Sequence, residues 1–194
     1  MEKNIITLGM YPQNMGLAKE TIEWIVLKKE NNSCLCISKY LLDCKPYHKS
    51  LEKVTWENCT LRKWLNNGFL FTAFSPEERE KILLSNVKNP KKDTLDYIFL
   101  LCYDEAEEYF LFEERGTLTT QYARLQGAWF LDEDCEDYNK GLWWLRYCGE
   151  SYEKIEGKYA YISCVNFDGY IEYMAEDVTG TNCCIRPAFW LTTD

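Results

Sequence analysis

Residues 158–174 read Lys-Tyr-Ala-Tyr-Ile-Ser-Cys-Val-Asn-Phe-Asp-Gly-Tyr-Ile-Glu-Tyr-Met, and this stretch decides the fold class. Tyr159, Tyr161 and Ser163 alternate with Ala160, Ile162 and Cys164, the two-residue period of a strand with one wet face and one dry face. Asp168-Gly169 is the strongest hairpin signal in the chain and predicts a type I′ turn into a second strand over 170–174. Just upstream, 142–147 reads as an aromatic-rich strand, with Trp143 and Leu145 on one face and Trp144 and Arg146 on the other. Downstream, 185–191 reads as a last strand, in which Pro187 requires an edge position or a bulge.

Further outward the pattern becomes mixed. Residues 21–40 alternate as a hairpin broken at 28–33, where Asn31-Asn32 supplies turn chemistry. Leu61, Trp64 and Leu65 recur at helical spacing, and Asn66-Asn67-Gly68 reads as a stop. Ser75-Pro76-Glu77-Glu78 is a capping box with proline at the first helical position, predicting a short helix to about Leu84. Residues 97–101 read as an apolar strand leading into a helix over 104–110. Thr119 or Thr120 caps another short helix through Gln126, ended by Gly127. No repeat or linker interrupts the sequence, so one α+β domain over 1–194 is expected.

The chain has 194 residues, 46% of them hydrophobic and 27% charged, which excludes wholesale disorder. Its formal net charge is −9, and the charge is lopsided. Residues 1–129 carry 18 acids and 17 bases, whereas 130–194 carry 13 acids and 5 bases, a local balance of −8. No nucleic-acid partner is expected of such a surface. The run Asp132, Glu133, Asp134, Glu136, Asp137 reads as a solvated loop, because it lacks the alternating spacing of a calcium loop. No apolar stretch approaches bilayer length and no export signal is visible, so a cytoplasmic protein with no membrane partner is expected. The 10 cysteines then read as reduced thiols, several of them beside apolar neighbours. With one histidine, His48, and no paired C-x-x-C units, neither a metal nor a cofactor is expected. Nucleophile elbows, phosphate loops and paired carboxylates are also missing, and no catalytic residue is assigned.

Several segments in order carry a more specific signal: GMYPQN, IEWIVL, LLDCKPY, VTWENCTLRKWLN, FTAFSPEER, FLLCYDEAEEYF, GLWWLRYCG, VNFDGYI and IRPAFWL. Together they resemble a bacterial C-type-lectin-like family catalogued as domain of unknown function 6273, over nearly the whole chain. The resemblance implies a C-type lectin fold: a twisted antiparallel sheet, short flanking helices and a long irregular loop region near the carboxyl terminus. The same fold class includes the formylglycine-generating enzymes and the variable proteins diversified by retroelements. Two departures fall where ligand-facing loops are expected. Tyr147-Cys148-Gly149 follows Arg146 where relatives read Ser-Pro-Gly, and Cys184 precedes Ile185-Arg186-Pro187 where a glycine is usual.

The candidate ligand-binding residues follow from composition on the late strands and loops. Tyrosine supplies rigid amphipathic area, while serine and asparagine supply adjustable hydrogen bonds. Arg146, Tyr147, Ser151, Tyr152, Tyr159, Tyr161, Asp168, Tyr170, Tyr173, Glu176, Asp177, Thr181 and Asn182 form this set, and the segments 147–158 and 174–183 are expected to make the exposed ligand surface. Each tyrosine alone also suits a half-buried sheet face. The expected function is a non-enzymatic binding module whose tyrosine-rich acidic surface meets a protein or glycan, a second copy of the chain being among the partners such a face admits. Two other readings stay open. One is a formylglycine-generating-type oxidase using copper on two of Cys148, Cys164, Cys183 and Cys184, since soft thiolates suit Cu(I). The other is a structural or assembly subunit with a permanent interface.

Overall fold

The computed structural model describes residues 4–16, 18–131, 138–147 and 161–193. The acidic run 132–137 and residues 148–160 therefore lie outside the described residues. Strands β1 (Ile5–Pro12), β2 (Lys19–Glu30) and β3 (Ser33–Ser38) form an antiparallel meander. The expected turn at Asn31-Asn32 is present. Asn31 takes φ 47°, a left-handed conformation that asparagine tolerates better than most residues. β4 (Asp43–Cys44) follows.

α1 (Thr60–Trp64), a π turn (Leu65–Phe69) and α2 (Leu70–Ala73) then make one continuous helical run. The stop expected at Asn66-Asn67-Gly68 is not taken, for a tertiary reason. Asn66 spends its amide on a distant segment: its Oδ1 accepts from the Tyr97 and Ile98 N–H groups, and its Nδ2 donates to the Ile98 carbonyl at 2.8 Å. The π turn adds one residue to the helical circuit, as such bulges do. Gly68 sits against the Trp64 ring, where a Cβ would come within 2.9 Å of the indole.

α3 (Pro76–Lys81) opens on the expected capping box, with Ser75 and Glu78 exchanging side-chain-to-backbone bonds. It ends sooner than expected because Ile82 turns into β5 (Ile82–Leu83) to pair with the last strand. β6 (Ser85–Val87) and β7 (Thr94–Asp96) make a separate ribbon. Residues 97–101 are not the expected strand. Their backbone is shared among Asn66, Ala188 and Arg146, and Phe99 with Ala188 is a lone bridge. α4 (Tyr103–Tyr109), α5 (Phe112–Arg115) and α6 (Gln121–Leu125) are all short. α6 has the cap expected of Thr120, whose Oγ1 accepts from the Ala123 N–H at 3.0 Å. Gly127 leaves the helix at φ 106°.

The late chain is β, but more broken than its sequence suggests. β8 (Trp143–Trp144) is two residues long: the Leu145 N–H still bonds to the Ser163 carbonyl, but the Arg146 N–H turns away to the Leu101 carbonyl. β9 (Tyr161–Val165) and β10 (Ile171–Asp177) form the expected hairpin. Its turn is not type I′. Asp168 keeps a negative φ, Gly169 alone is left-handed at φ 91°, and the Gly169 N–H bonds back to the Asn166 carbonyl. This is the longer hairpin loop in which a turn is followed by one left-handed glycine. The segment expected as a single last strand is two, β11 (Cys184–Ile185) and β12 (Ala188–Thr192). Arg186-Pro187 lies between them, which resolves the proline without an edge position. The Pro187 carbonyl still accepts from the Ser38 N–H at 2.9 Å.

Two five-stranded sheets result. One has the order β1-β2-β3-β12-β5 and is antiparallel throughout; the other has the order β10-β9-β8-β11-β4, with β8 and β11 parallel. The fold is therefore α+β and mostly sheet. Trp24, Phe74 and Phe189 pack edge and face at centroid distances of 4.6–5.9 Å. Each such ring removes enough apolar surface to contribute about 2–3 kcal/mol. The buried indoles also find acceptors: Trp24 on the Leu8 carbonyl, Trp143 on Arg115 and Trp144 on Lys45. Among the described residues, no helix is long and apolar enough to cross a membrane.

Candidate functional site

The β9–β10 hairpin and the loop 177–183 carry most of the described candidates. Cross-strand register slips between Glu172 and Glu176, so the outer strand bulges and twists away from a regular ladder. Tyr161 and Tyr170 project from opposite ends of the hairpin at 39% and 54% exposure. Asp168 and Glu172 are exposed as well. Asp168 fixes the turn by accepting the Tyr170 N–H at 2.9 Å.

Two glycines seat the hairpin tip on α5. A Cβ on Gly169 would overlap the Phe112 carbonyl, and one on Gly116 would overlap the Phe167 carbonyl. Phe167 in turn meets the Trp129 ring at 5.6 Å. Phe112 and Trp129 remain 46% and 40% exposed. Sequence reasoning passed over these neighbours of the tip. The signal available was the isolated Gly116 after Glu113-Glu114-Arg115, a residue type that permits close backbone approach.

Loop 177–183 is built as a stiff platform. Asp177 Oδ1 accepts from the Thr179 backbone N–H and hydroxyl, and the Gly180 N–H bonds back to the Asp177 carbonyl. From below, the Val178 carbonyl accepts the His48 N–H at 2.6 Å, and the Asn182 carbonyl accepts the Trp129 N–H. The Cys44 thiol lies within 3.1 Å of the Thr181 carbonyl and 3.2 Å of the Cys183 carbonyl. Thr181 faces outward, while Glu176, Asp177 and Asn182 are half-buried. Asn182 Nδ2 reaches Glu176, whereas its Oδ1 and the buried Ser163 hydroxyl have no partner among the described residues. Glu176 and Asp177 therefore shape the loop as well as charging it.

Tyr173 is engaged rather than free. Its ring meets Tyr103 of α4 at 4.9 Å. Hydrogen bonding to Tyr173, then burial, then Glu107 hold the Tyr103 phenol well above its ordinary value. Tyr147 is half-buried, and burial followed by a hydrogen bond with the Cys102 thiol raises its phenol too.

Arg146 is not a surface group. It has no exposed area, and its guanidinium binds the Leu100 and Lys88 carbonyls, Asn89 Oδ1 and both oxygens of Glu105. Burial pulls its pKa down, but Glu105, Cys102 and Tyr147 together outweigh that and the net displacement is upward. Its assignment to the ligand surface is therefore corrected: it fixes a strand end from inside. Arg186 is equally buried, between the Phe110 and Trp143 rings, and donates to the Ser38 and Arg115 carbonyls. Desolvation lowers its pKa to about 9. Ser151, Tyr152, Tyr159 and Cys148 lie outside the described residues.

The motif VTWENCTLRKWLN also acquires a physical role. Asp96 is fully buried and accepts from Trp56 Nε1, Arg62 Nε and the Thr94 hydroxyl at 2.6–2.9 Å. Together with Asn66, these residues clamp the helical run onto 94–98. His48 starts that run, its Nδ1 accepting from the Thr60 N–H and its Nε2 meeting Glu52 at 3.0 Å.

All eight described cysteines are buried, and none is in a disulfide. Cys164 and Cys183 bring their sulfurs to 3.2 Å. Burial is the main cause that raises Cys183 and Cys184 well above the ordinary thiol value, and it lifts Cys59 to about 11. Among the described residues, no group of three or more His, Cys, Asp or Glu is arranged to hold a metal ion.

Neither the curated proteins nor the solved structures contain a match to this chain. A family profile does match, over residues 31–193, from the turn that precedes β3 to just past the end of β12. That span includes the Trp56–Asn66 clamp, both buried arginines and the whole loop platform. The chain belongs to the family described as Domain of unknown function (DUF6273).

Proposed function

We propose that the chain is a ligand-binding module of C-type lectin fold, cytoplasmic and non-enzymatic, that presents an acidic, tyrosine-rich surface from its late loops to a protein or glycan partner. The observation that carries this reading is the construction of loop 177–183. Its backbone is tied down from inside by His48, Cys44 and Trp129, while Thr181 and the adjoining Tyr161 face outward, as does Tyr170 at the far end of the hairpin. Such preorganisation reduces the ordering cost of binding. The carboxylates of Asp168, Glu172, Glu176 and Asp177 favour a basic or neutral partner and give salt-sensitive association.

The test is a screen of the full chain against a glycan array and a library of basic peptides, repeated with Tyr170→Ala, Glu172→Gln and Thr181→Ala combined. These residues are exposed, so the melting temperature should hold while binding to any hit falls at least tenfold. Hits that survive the triple substitution place the ligand elsewhere.

The oxidase reading has one observation in its favour, the approach of Cys164 and Cys183. Both thiols are buried, out of contact with solvent and so with a substrate cysteine, which favours binding over turnover. Copper titration, with Cys164→Ser and Cys183→Ser as controls, separates the two readings.

A further inference from the structure

Four thiols collect beneath the loop platform. Cys44 and Cys184 are directly opposite on β4 and β11, Cys164 lies on β9 opposite Trp144, and Cys183 closes the loop. We infer that Cys164 and Cys183 are an oxidisable pair that closes to an internal disulfide, stapling β9 to the end of loop 177–183. Their sulfurs already stand at 3.2 Å, though 19 residues separate them in sequence. Closing to a bond of about 2.05 Å asks for a shift of roughly 1 Å, within reach of side-chain rotation. The neighbouring pair is less suited, because the Cys44 thiol is occupied by the Thr181 and Cys183 carbonyls.

The reaction takes a hydroperoxide as oxidant. One thiol sulfur attacks a peroxide oxygen, the O–O bond breaks, and water leaves with a sulfenic acid behind. The second sulfur then attacks the first, the S–O bond breaks, and a second water leaves. Two thiols and one hydrogen peroxide give one disulfide and two waters, the sulfurs oxidised and the peroxide oxygens reduced. Burial keeps Cys183 protonated, so the closure is slow and selects a small neutral oxidant over bulky thiol reagents. The inference goes beyond the binding reading and does not rest on it.

The experiment uses the reduced full chain. It is exposed to hydrogen peroxide, denatured with N-ethylmaleimide to block remaining thiols, digested without reductant and mapped by mass spectrometry. The expected product joins the Cys164 and Cys183 peptides, lighter by two hydrogens, and is reversed by dithiothreitol. Protease cleavage within 177–183 of the undenatured oxidised chain should slow severalfold. A bridge at Cys44–Cys184, sulfinic acid without a bridge, or both thiols recovered unmodified overturns the inference. So does a bridge that leaves cleavage of the loop unchanged. Mapping the unaltered chain is decisive by itself; a folded Cys183→Ala variant should lose both the bridge and the protection.

Discussion

Asn66 holds Ile98 by both backbone groups, accepting its N–H at 3.1 Å and donating to its carbonyl at 2.8 Å. The pairing joins a π turn to a segment that has almost no sheet of its own. Asn66→Ala orphans these groups and the Tyr97 N–H, and should cost about 2–3 kcal/mol in urea unfolding. Asn66→Asp keeps the acceptor and should cost less. Equal losses for the two variants would show that the clasp is not what holds 97–98.

Asp96 is the other half of that clamp. Asp96→Ala leaves Trp56, Arg62 and Thr94 without their common acceptor and should destabilise by about 3 kcal/mol or more. Asp96→Asn retains the shape and should lie between the variant and the parent. Chemical denaturation of all three proteins at one pH gives the ranking.

Gly169→Ala places a Cβ into the Phe112 carbonyl at a positive φ. The strain alone should cost about 1–3 kcal/mol. The hairpin tip should also lift from α5, read as increased solvent quenching of Trp129 fluorescence. A variant with unchanged emission and stability would mean that the close approach is dispensable.

Buried thiols give a pH signature. Cys59 has its ordinary value of 9.0 when unfolded and about 11 when folded. The unfolded chain therefore loses its proton first as pH rises, and this group's contribution to stability is full below 9 and declines between 9 and 11. Mapped alkylation of the native protein at pH 8 should spare Cys59, Cys183 and Cys184 and reach Cys59 only as pH approaches 11. Rapid labelling of Cys183 at pH 8 would contradict its burial.

Local signals in the sequence were legible wherever neighbours along the chain settle the backbone. The Asn31-Asn32 turn, the Ser75–Glu78 capping box, the Thr120 cap and the β9–β10 hairpin are of this kind. The failures are tertiary. Asn66-Asn67-Gly68 carries stop residues, but its amide finds a better partner at 97–98. Residues 97–101 are apolar enough for a strand, yet their hydrogen bonds are divided among three other segments. The 185–191 strand breaks at Arg186-Pro187 because the chain changes sheets there. Of the candidate surface, Tyr161, Asp168, Tyr170 and Thr181 are exposed as expected, Tyr173 is held by Tyr103, and Arg146 lies inside. Strand alternation alone could not distinguish the inside of Arg146 from a wet face, because Glu105 and the carbonyls that receive it come from distant sequence.

The crossing at Arg186-Pro187 bears on how the molecule is made. β11 fits between β8 and β4, and β12 between β3 and β5, so neither sheet can be completed until residues 184–192 exist. A growing polypeptide on the ribosome carries β3 with one bare edge until β12 has been made, about 150 residues later, a bonding row open to any passing strand. Long-range closure of this sort is slow. Until Thr192 has been made, that uncovered edge is where the topology leaves the nascent chain open to a wrong partner.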